Sequence, residues 1–238
     1  WYAGTADAIY QNLFILQEER PDLVLILSGD HAYKMDYQRM IDQHLQTEAA
    51  LTIASLKVPR QDCSSLGVLE IDAQHRVVGF QEKPPDPKPV PDDPDHSLVS
   101  MGVYVWSTDQ LARQVADDAT RATSHDFGKD IIPAMVQDGA AVYAYLFDQA
   151  PNGGPAYWRD IGTLDAYWRS NMELVDVVPE LNLYDQAWPI YSYRGPSPAA
   201  KTVHGGLSAG TDPMVGSGPI DSGARGDLSL MQLSEPQR

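Results

Sequence analysis

In the stretch LVLILSGDH, residues 23–31, an unbroken apolar run ends in a serine, a glycine and a carboxylate, Asp30. A short run without polar alternation predicts a strand buried on both faces. In open α/β sheets, ligands sit at the carboxyl ends of strands. Gly29 lets backbone or ligand approach there. A hard divalent cation such as Mg²⁺ takes carboxylate and phosphate oxygens and keeps several waters, so one or two carboxylates suffice to hold it. Asp30 fits that task, and fits the capping of a turn equally well. His31 reads as a positioning or packing residue, because Mg²⁺ prefers oxygen.

Four other stretches carry usable chemistry. In Gln81-Glu82-Lys83-Pro84, Lys83 can meet a phosphate as a compact cation and Glu82 can accept from sugar hydroxyls; the alternative is a surface charge pair. In Ser124-His125-Asp126-Phe127-Gly128, Ser124 or Asp126 can cap a helix, and the glycine beside Phe127 leaves space for something flat or polyhydroxylated. In Tyr157-Trp158-Arg159-Asp160-Ile161-Gly162-Thr163, two aromatics precede a charged pair. That pattern suits a sugar-stacking wall beside a polar clamp, with Asp160 as a second metal carboxylate, or an aromatic core plug before a capped helix. Gly4-Thr5-Ala6-Asp7 opens a helix with small side chains, which leaves free N–H donors for a nucleotide. There is no G-x-x-x-x-G-K-[ST] or G-x-G-x-x-G loop, no zinc-spaced His/Cys cluster and no G-x-S-x-G.

The elements that must position these residues follow from periodicity. A helix is expected over 5–19, with Ile9, Leu13 and Leu16 on one face, Thr5 as cap and Asp7 in the first turn. A buried strand over 23–27 follows, then a helix opened by Asp36 and a strand over 50–58. Helix–strand alternation with short links predicts a parallel sheet covered by helices. A hairpin is expected over 67–72 and 76–80, and an exposed Pro/Asp-rich loop over 84–95. Then come a strand over 98–106, helices over 108–116 and 127–137, a strand over 141–147, a Gly/Pro loop over 151–155 and a helix from Thr163 to about 175. No aromatic occurs after Tyr193, and from Gly205 the chain is Gly, Ser, Pro and Asp without steady period. That tail is expected to pack poorly.

With 238 residues, 43% of them apolar, the chain can bury a real core. A net charge of −16 speaks against nucleic acid or an anionic membrane surface as partner. No apolar segment is long enough to cross a bilayer. The single cysteine, Cys63, reads as a loop residue; it permits no intrachain disulfide and fits a reducing, cytoplasmic location. The chain opens at Trp1 without a methionine, directly in what reads as working sequence, and an N-terminal truncation is expected.

The order of the motifs is distinctive: WYAGTADAIYQN, LSGDHAYKMDY, GFQEKP, SMGVYVW, SHDFGKDIIP and YWRDIGTLDAYWRSNMEL. Over residues 1–201 the chain resembles the bacterial, glycogen-synthesis type of glucose-1-phosphate adenylyltransferase. The resemblance implies a Rossmann-like, GT-A-like nucleotidyltransferase fold, α/β with a mixed, mostly parallel sheet and helices on both faces. It implies adenylyl transfer from ATP to α-D-glucose 1-phosphate, giving ADP-glucose and pyrophosphate, with Mg²⁺. Asp30 and Asp160 match the metal carboxylates, and Lys83 the lysine on the sugar phosphate. Glu82, Ser100, Tyr104, Asp126, Phe127 and Trp158 match the sugar pocket. Tyr2, Gly4, Thr5, Ala6, Asp7 and Gly29 match the segments near the nucleotide.

The family's glycine-rich triphosphate loop should precede Trp1, so the domain is expected to be incomplete at its N-terminus and the chain inactive by itself. Family members continue into a left-handed β-helix that packs subunits, which implies a homotetrameric parent. Residues 202–238 do not read as hexapeptide turns. Ala3 stands where relatives often carry arginine, which puts allosteric or nucleotide contacts there in doubt. Two other readings stay open: a UDP- or dTDP-glucose pyrophosphorylase, and a non-catalytic regulatory subunit that binds sugar phosphate.

Overall fold

The computed structural model describes residues 1–91, 93–148 and 156–191, together with the backbone of six short strands between 201 and 231. The expected loop over 151–155 lies outside the described residues. The chain divides into two units: residues 1–29 with 35–156, and residues 30–34 with 157–238.

The first unit is built on a six-stranded mixed sheet. Its elements run α1 (Thr5–Tyr10), α2 (Leu13–Glu19), β1 (Leu23–Ile26), then, after the excursion through β2 (His31–Tyr33) in the other unit, α3 (Tyr37–Gln46) and β3 (Leu51–Pro59). The hairpin strands β4 (Gly67–Ile71) and β5 (Val77–Glu82) precede the long β6 (His96–Ser107), followed by α4 (Thr108–Asp118). A π-helical turn, Phe127–Ile131, continues into α5 (Ile132–Gln137), and β7 (Val142–Leu146) completes the sheet.

β6 pairs antiparallel with β3 on one edge and with β1 and β4 on the other, while β3 and β7 pair parallel. The helix-linked strands β1, β3 and β7 therefore run the same way, as helix–strand alternation requires, and β6 is threaded between β1 and β3. Alternation along β3 puts helices on both faces. Leu51 and Ile53 join the core formed with Leu111 and Val115 of α4 and Ile132 and Met135 of α5. Thr52 turns the other way and lies 2.8 Å from the buried His44 ring of α3. Burial lowers the pKa of that imidazole.

Two local expectations are corrected. The helix over 5–19 is interrupted, because the Asn12 side chain donates to the Ala8 carbonyl (2.8 Å), a local bond that competes with the helical ladder. Leu23–Ile26 is half-buried rather than enclosed: among the described residues β1 pairs along one edge only, and Leu27 is exposed. The described residues of the loop over 84–95 are mostly exposed, as expected, and side chains tie the loop to its neighbours. Arg60 donates to the Pro87 carbonyl and the Asp86 carboxylate, and Ser97 to the Lys88 carbonyl. Cys63 is fully buried, and burial pushes its thiol pKa up, which makes it unreactive.

The second unit contains β2 paired antiparallel with β8 (Trp158–Asp160), followed by α6 (Leu164–Glu173), whose first turn is capped by the Thr163 hydroxyl accepting from the Ala166 N–H (3.1 Å). Between 201 and 231 the backbone forms three parallel two-stranded ladders, with Lys201 opposite Ile220, Ala209 opposite Arg225 and Met214 opposite Leu230. The sequence shows no steady period there, yet each strand meets one that lies further along the chain in the same direction. No helix among the described residues is long and apolar enough to cross a membrane.

Candidate active site

In the second unit, the three-residue strands β2 and β8 place His31 opposite Asp160. The Ile161 N–H donates to the Asp30 carbonyl (3.0 Å), which closes the ladder next to the acidic pair. Ligand atoms of Asp30, His31 and Asp160 all lie within 4.8 Å of one another. Both carboxylates are exposed. His31 Nε2 is 3.6 Å from Asp30 Oδ1, and its ring meets Trp158 edge-on at 5.1 Å. The Gly162 N–H donates to Asp160 Oδ1 (2.9 Å) and so orients that carboxylate. A β-carbon on Gly162 would stand 3.0 Å from Asp160 Oδ1 and 3.5 Å from Asp30 Oδ2, so the absence of a side chain keeps the approach to both open. Two converging carboxylates form an oxygen donor set that fits a hard divalent cation. Trp158, expected on the sugar, is buried within this unit. Arg159, between Trp158 and Asp160, is engaged elsewhere: it donates to Glu173 and lies 4.6 Å over the Tyr157 ring.

In the first unit a cavity of about 460 Å³ opens where β1 ends along β6. Thr5, Ala8 and Ile9 of α1 line one wall; Ser28 and Gly29 follow β1; Glu82, Gly102 and Tyr104 form the floor; Asp126, Phe127 and Gly128 complete it. Gly102 has φ +66, a left-handed turn within β6 that an L side chain rarely adopts. Its N–H donates to the hydroxyl of Ser100, which is buried and does not line the cavity. The Tyr104 phenol has its pKa pushed up to about 12 by burial, with the Glu82 and Asp126 charges adding to the shift; it stays a neutral donor.

Glu82 is the electrostatic centre of this pocket. Burial raises its pKa, and the nearby Asp126 carboxylate raises it further, against smaller opposing effects of Lys83 and Lys129. The room it occupies depends on two glycines. A β-carbon on Gly128 would fall 2.5 Å from Glu82 Oε2, and one on Gly67 would fall 3.2 Å away. Lys83 extends outward, with its Nζ 3.9 Å from Glu82 Oε1, and is not among the cavity's lining residues. Its backbone is left-handed at φ +47, and its N–H donates to the Leu66 carbonyl (3.1 Å).

Asp126 caps the π-helical turn: Oδ1 accepts from the Gly128 and Lys129 N–H groups, while Oδ2 accepts from the Thr5 hydroxyl (3.1 Å). Phe127 is buried against Trp106 and Tyr104. The start of α1 differs from expectation. Gly4, not Thr5, is its cap residue. The Ala6 and Asp7 N–H groups, expected to be free for a nucleotide, donate to the His125 carbonyl at 2.8 and 3.4 Å. Asp7 Oδ2 accepts from Ala3 N and from Gln11. Tyr2 is exposed, and its hydroxyl accepts from Asn12.

A family model described as "Nucleotidyl transferase" matches residues 2–177. The chain belongs to the nucleotidyl transferase family. This nucleotidyl transferase is 48% identical over 235 residues to the "Glucose-1-phosphate adenylyltransferase" of Methylococcus capsulatus, and 49% identical over 234 residues to "Glucose-1-phosphate adenylyltransferase 2" of Alkalilimnicola ehrlichii. It is 46% identical over 238 residues to the protein of the first name from Nitrosomonas europaea. Each alignment covers 97% of this chain and 55% of the relative. The chain thus spans about half the length of the curated relatives it matches.

Sequence reading missed two features of this nucleotidyl transferase. From sequence Thr5 reads as a helix cap; its hydroxyl instead ties α1 to Asp126 and to the Phe127 N–H. Gly102 carries a signal of its own, since a glycine inside an apolar strand marks a bend or a close approach.

Proposed function

We propose that this nucleotidyl transferase serves the transfer of the adenylyl group of ATP to α-D-glucose 1-phosphate, giving ADP-glucose and pyrophosphate. A phosphate oxygen of the sugar phosphate attacks the α-phosphorus of ATP; that P–O bond forms as the bond to the β-phosphate breaks, and pyrophosphate leaves. Such a displacement requires alignment and charge neutralisation more than covalent help. The observation that carries the reading is the convergence of Asp30 and Asp160 from distant parts of the chain. The names of its relatives supply the choice of base and sugar.

Asp30 and Asp160 are the residues that would hold Mg²⁺, which when bound supplies charge neutralisation to the reacting phosphates. Gly162 orients Asp160 for that role through its N–H. Lys83 receives the phosphate of glucose 1-phosphate as a compact cation. Glu82 and Asp126 accept from sugar hydroxyls, and the Tyr104 phenol, neutral at physiological pH, donates. Gly29, with nothing within 4 Å of where its β-carbon would be, leaves the end of β1 open to a ligand. Thr5 holds Asp126 in place, and the first turn of α1 contributes shape more than free N–H groups.

Pyrophosphate release by the longest natural protein carrying this sequence tests the reading. Release is expected from ATP with glucose 1-phosphate. Faster release with UTP or dTTP would overturn the choice of base, and effector binding without any release would favour a regulatory role.

A further inference from the structure

Among the described residues, five that bear a β-carbon have positive φ, and His125, at +55, is one of them. It directly precedes Asp126 in the pocket wall. A left-handed backbone is disfavoured for such a residue and persists only where its surroundings over-determine it. Here they do. Asp118, at the end of α4, is buried at 6% exposure. Its Oδ2 accepts from His125 Nδ1 (2.8 Å), and its Oδ1 accepts from the Thr123 hydroxyl (2.8 Å). The Thr123 oxygen in turn accepts from the His125 N–H (3.3 Å). The imidazole and its own backbone are thereby fixed together.

The consequence appears on the carbonyl side. The left-handed turn directs the His125 carbonyl at the first N–H groups of α1, where Ala6 and Asp7 donate to it. The two backbones approach so closely that a β-carbon on Gly4 would lie 2.3 Å from that oxygen. This contact sets Thr5 where its hydroxyl can bridge Asp126 and the Phe127 N–H. The two walls of the cavity, α1 and the π-helical turn, are therefore joined through the His125 carbonyl as well as through the Thr5 hydroxyl.

We propose that His125 is a positioning residue for the sugar-phosphate pocket, with Asp118 and Thr123 as the clamp that holds it. This inference rests on the reading of the pocket given above. The ring does not line the cavity; it acts by keeping Thr5 and Asp126 in register.

The test compares His125→Gly, His125→Asn and Asp126→Asn in the longest natural protein carrying this sequence. Glycine accepts the left-handed backbone and removes the ring. Asparagine also tolerates that backbone and places an amide nitrogen near the position of Nδ1. His125→Gly is expected to raise KM for glucose 1-phosphate roughly tenfold, with a far smaller change in kcat. His125→Asn should recover most of the loss, and KM for the nucleotide should hardly move. Residue-resolved amide exchange is the second measurement: the Ala6 and Phe127 amides should lose protection in His125→Gly and regain it in His125→Asn. Unchanged KM and unchanged protection at Ala6 in His125→Gly would overturn the clamp. If Asp126→Asn leaves sugar-phosphate binding untouched, the reading of the pocket fails, while amide exchange still decides the clamp.

Discussion

Replacing Gly4 by alanine isolates the contact on which the pocket's two walls depend. Gly4 has φ −166 and ψ −177, an extended conformation open to any residue, so the substitution carries no dihedral penalty. The cost is steric. The new β-carbon would sit 2.3 Å from the His125 oxygen and 2.4 Å from the Ser124 oxygen, both backbone atoms, where ordinary contact begins near 3.4 Å. Flexible side chains cannot absorb this; the start of α1 must move off the 124–125 backbone by about 1 Å. Overpacking of this kind costs about 1–3 kcal/mol. Stretching the Ala6–His125 hydrogen bond costs about 1 kcal/mol more. Reduced freedom of the unfolded chain offsets roughly 0.5 kcal/mol. The net is about 1.5–3.5 kcal/mol, which for a chain of this size lowers Tm by roughly 3–14 °C. Gly29→Ala is the matched control, because nothing lies within 4 Å of its β-carbon; its stability should change by less than about 0.5 kcal/mol. Thermal unfolding of both variants followed by circular dichroism gives the comparison. A Gly4→Ala melting point within a degree of the parent, or equal to that of Gly29→Ala, would refute the reasoning.

Glu82→Gln should be stabilising in a pH-dependent way. Burial, reinforced by Asp126, raises the folded-state pKa, so the folded protein holds this proton more tightly than the unfolded chain does. That contribution is complete below the ordinary glutamate pKa and is lost as pH rises through the folded value. The melting point of Glu82→Gln relative to the parent is thus expected to climb with pH across that window and then level off, while glucose 1-phosphate binding weakens; a flat or falling difference would contradict the electrostatics. Gly162→Ala brings a methyl group to 3.0 Å from the oxygen of Asp160 that its own N–H orients. Groups that orient metal ligands are worth roughly 10–100-fold in affinity, so Mn²⁺ binding measured by calorimetry should weaken by about tenfold with little change in melting point.

How much of this was legible depends on the distance over which each contact acts. The helix–strand order around β1, β3 and β7 and the hairpin of β4 and β5 follow from periodicity, a local property. The threading of β6 between β1 and β3 does not, because a strand's neighbours are decided by closure of the whole sheet. β2 and β8 have three residues each, too few for alternation to register. Asp30 and Asp160 read from the residues as possible metal carboxylates and the resemblance pairs them; only this ladder shows what brings them together. The N–H groups of Ala6 and Asp7 looked free because their acceptor, the His125 carbonyl, comes from a distant part of the chain. Glu82 read as an ordinary surface charge or a sugar acceptor; the two glycines that give its carboxylate room, Gly67 and Gly128, come from different elements.

The most direct test is the stoichiometry of divalent cation binding. Mn²⁺ titration followed by electron paramagnetic resonance should show one ion per chain at this site, displaced by Mg²⁺. Asp30→Asn and Asp160→Asn should each weaken it by at least about tenfold, and the double variant should lose no further site. Wild-type binding that survives either single substitution would show that the two carboxylates do not share an ion.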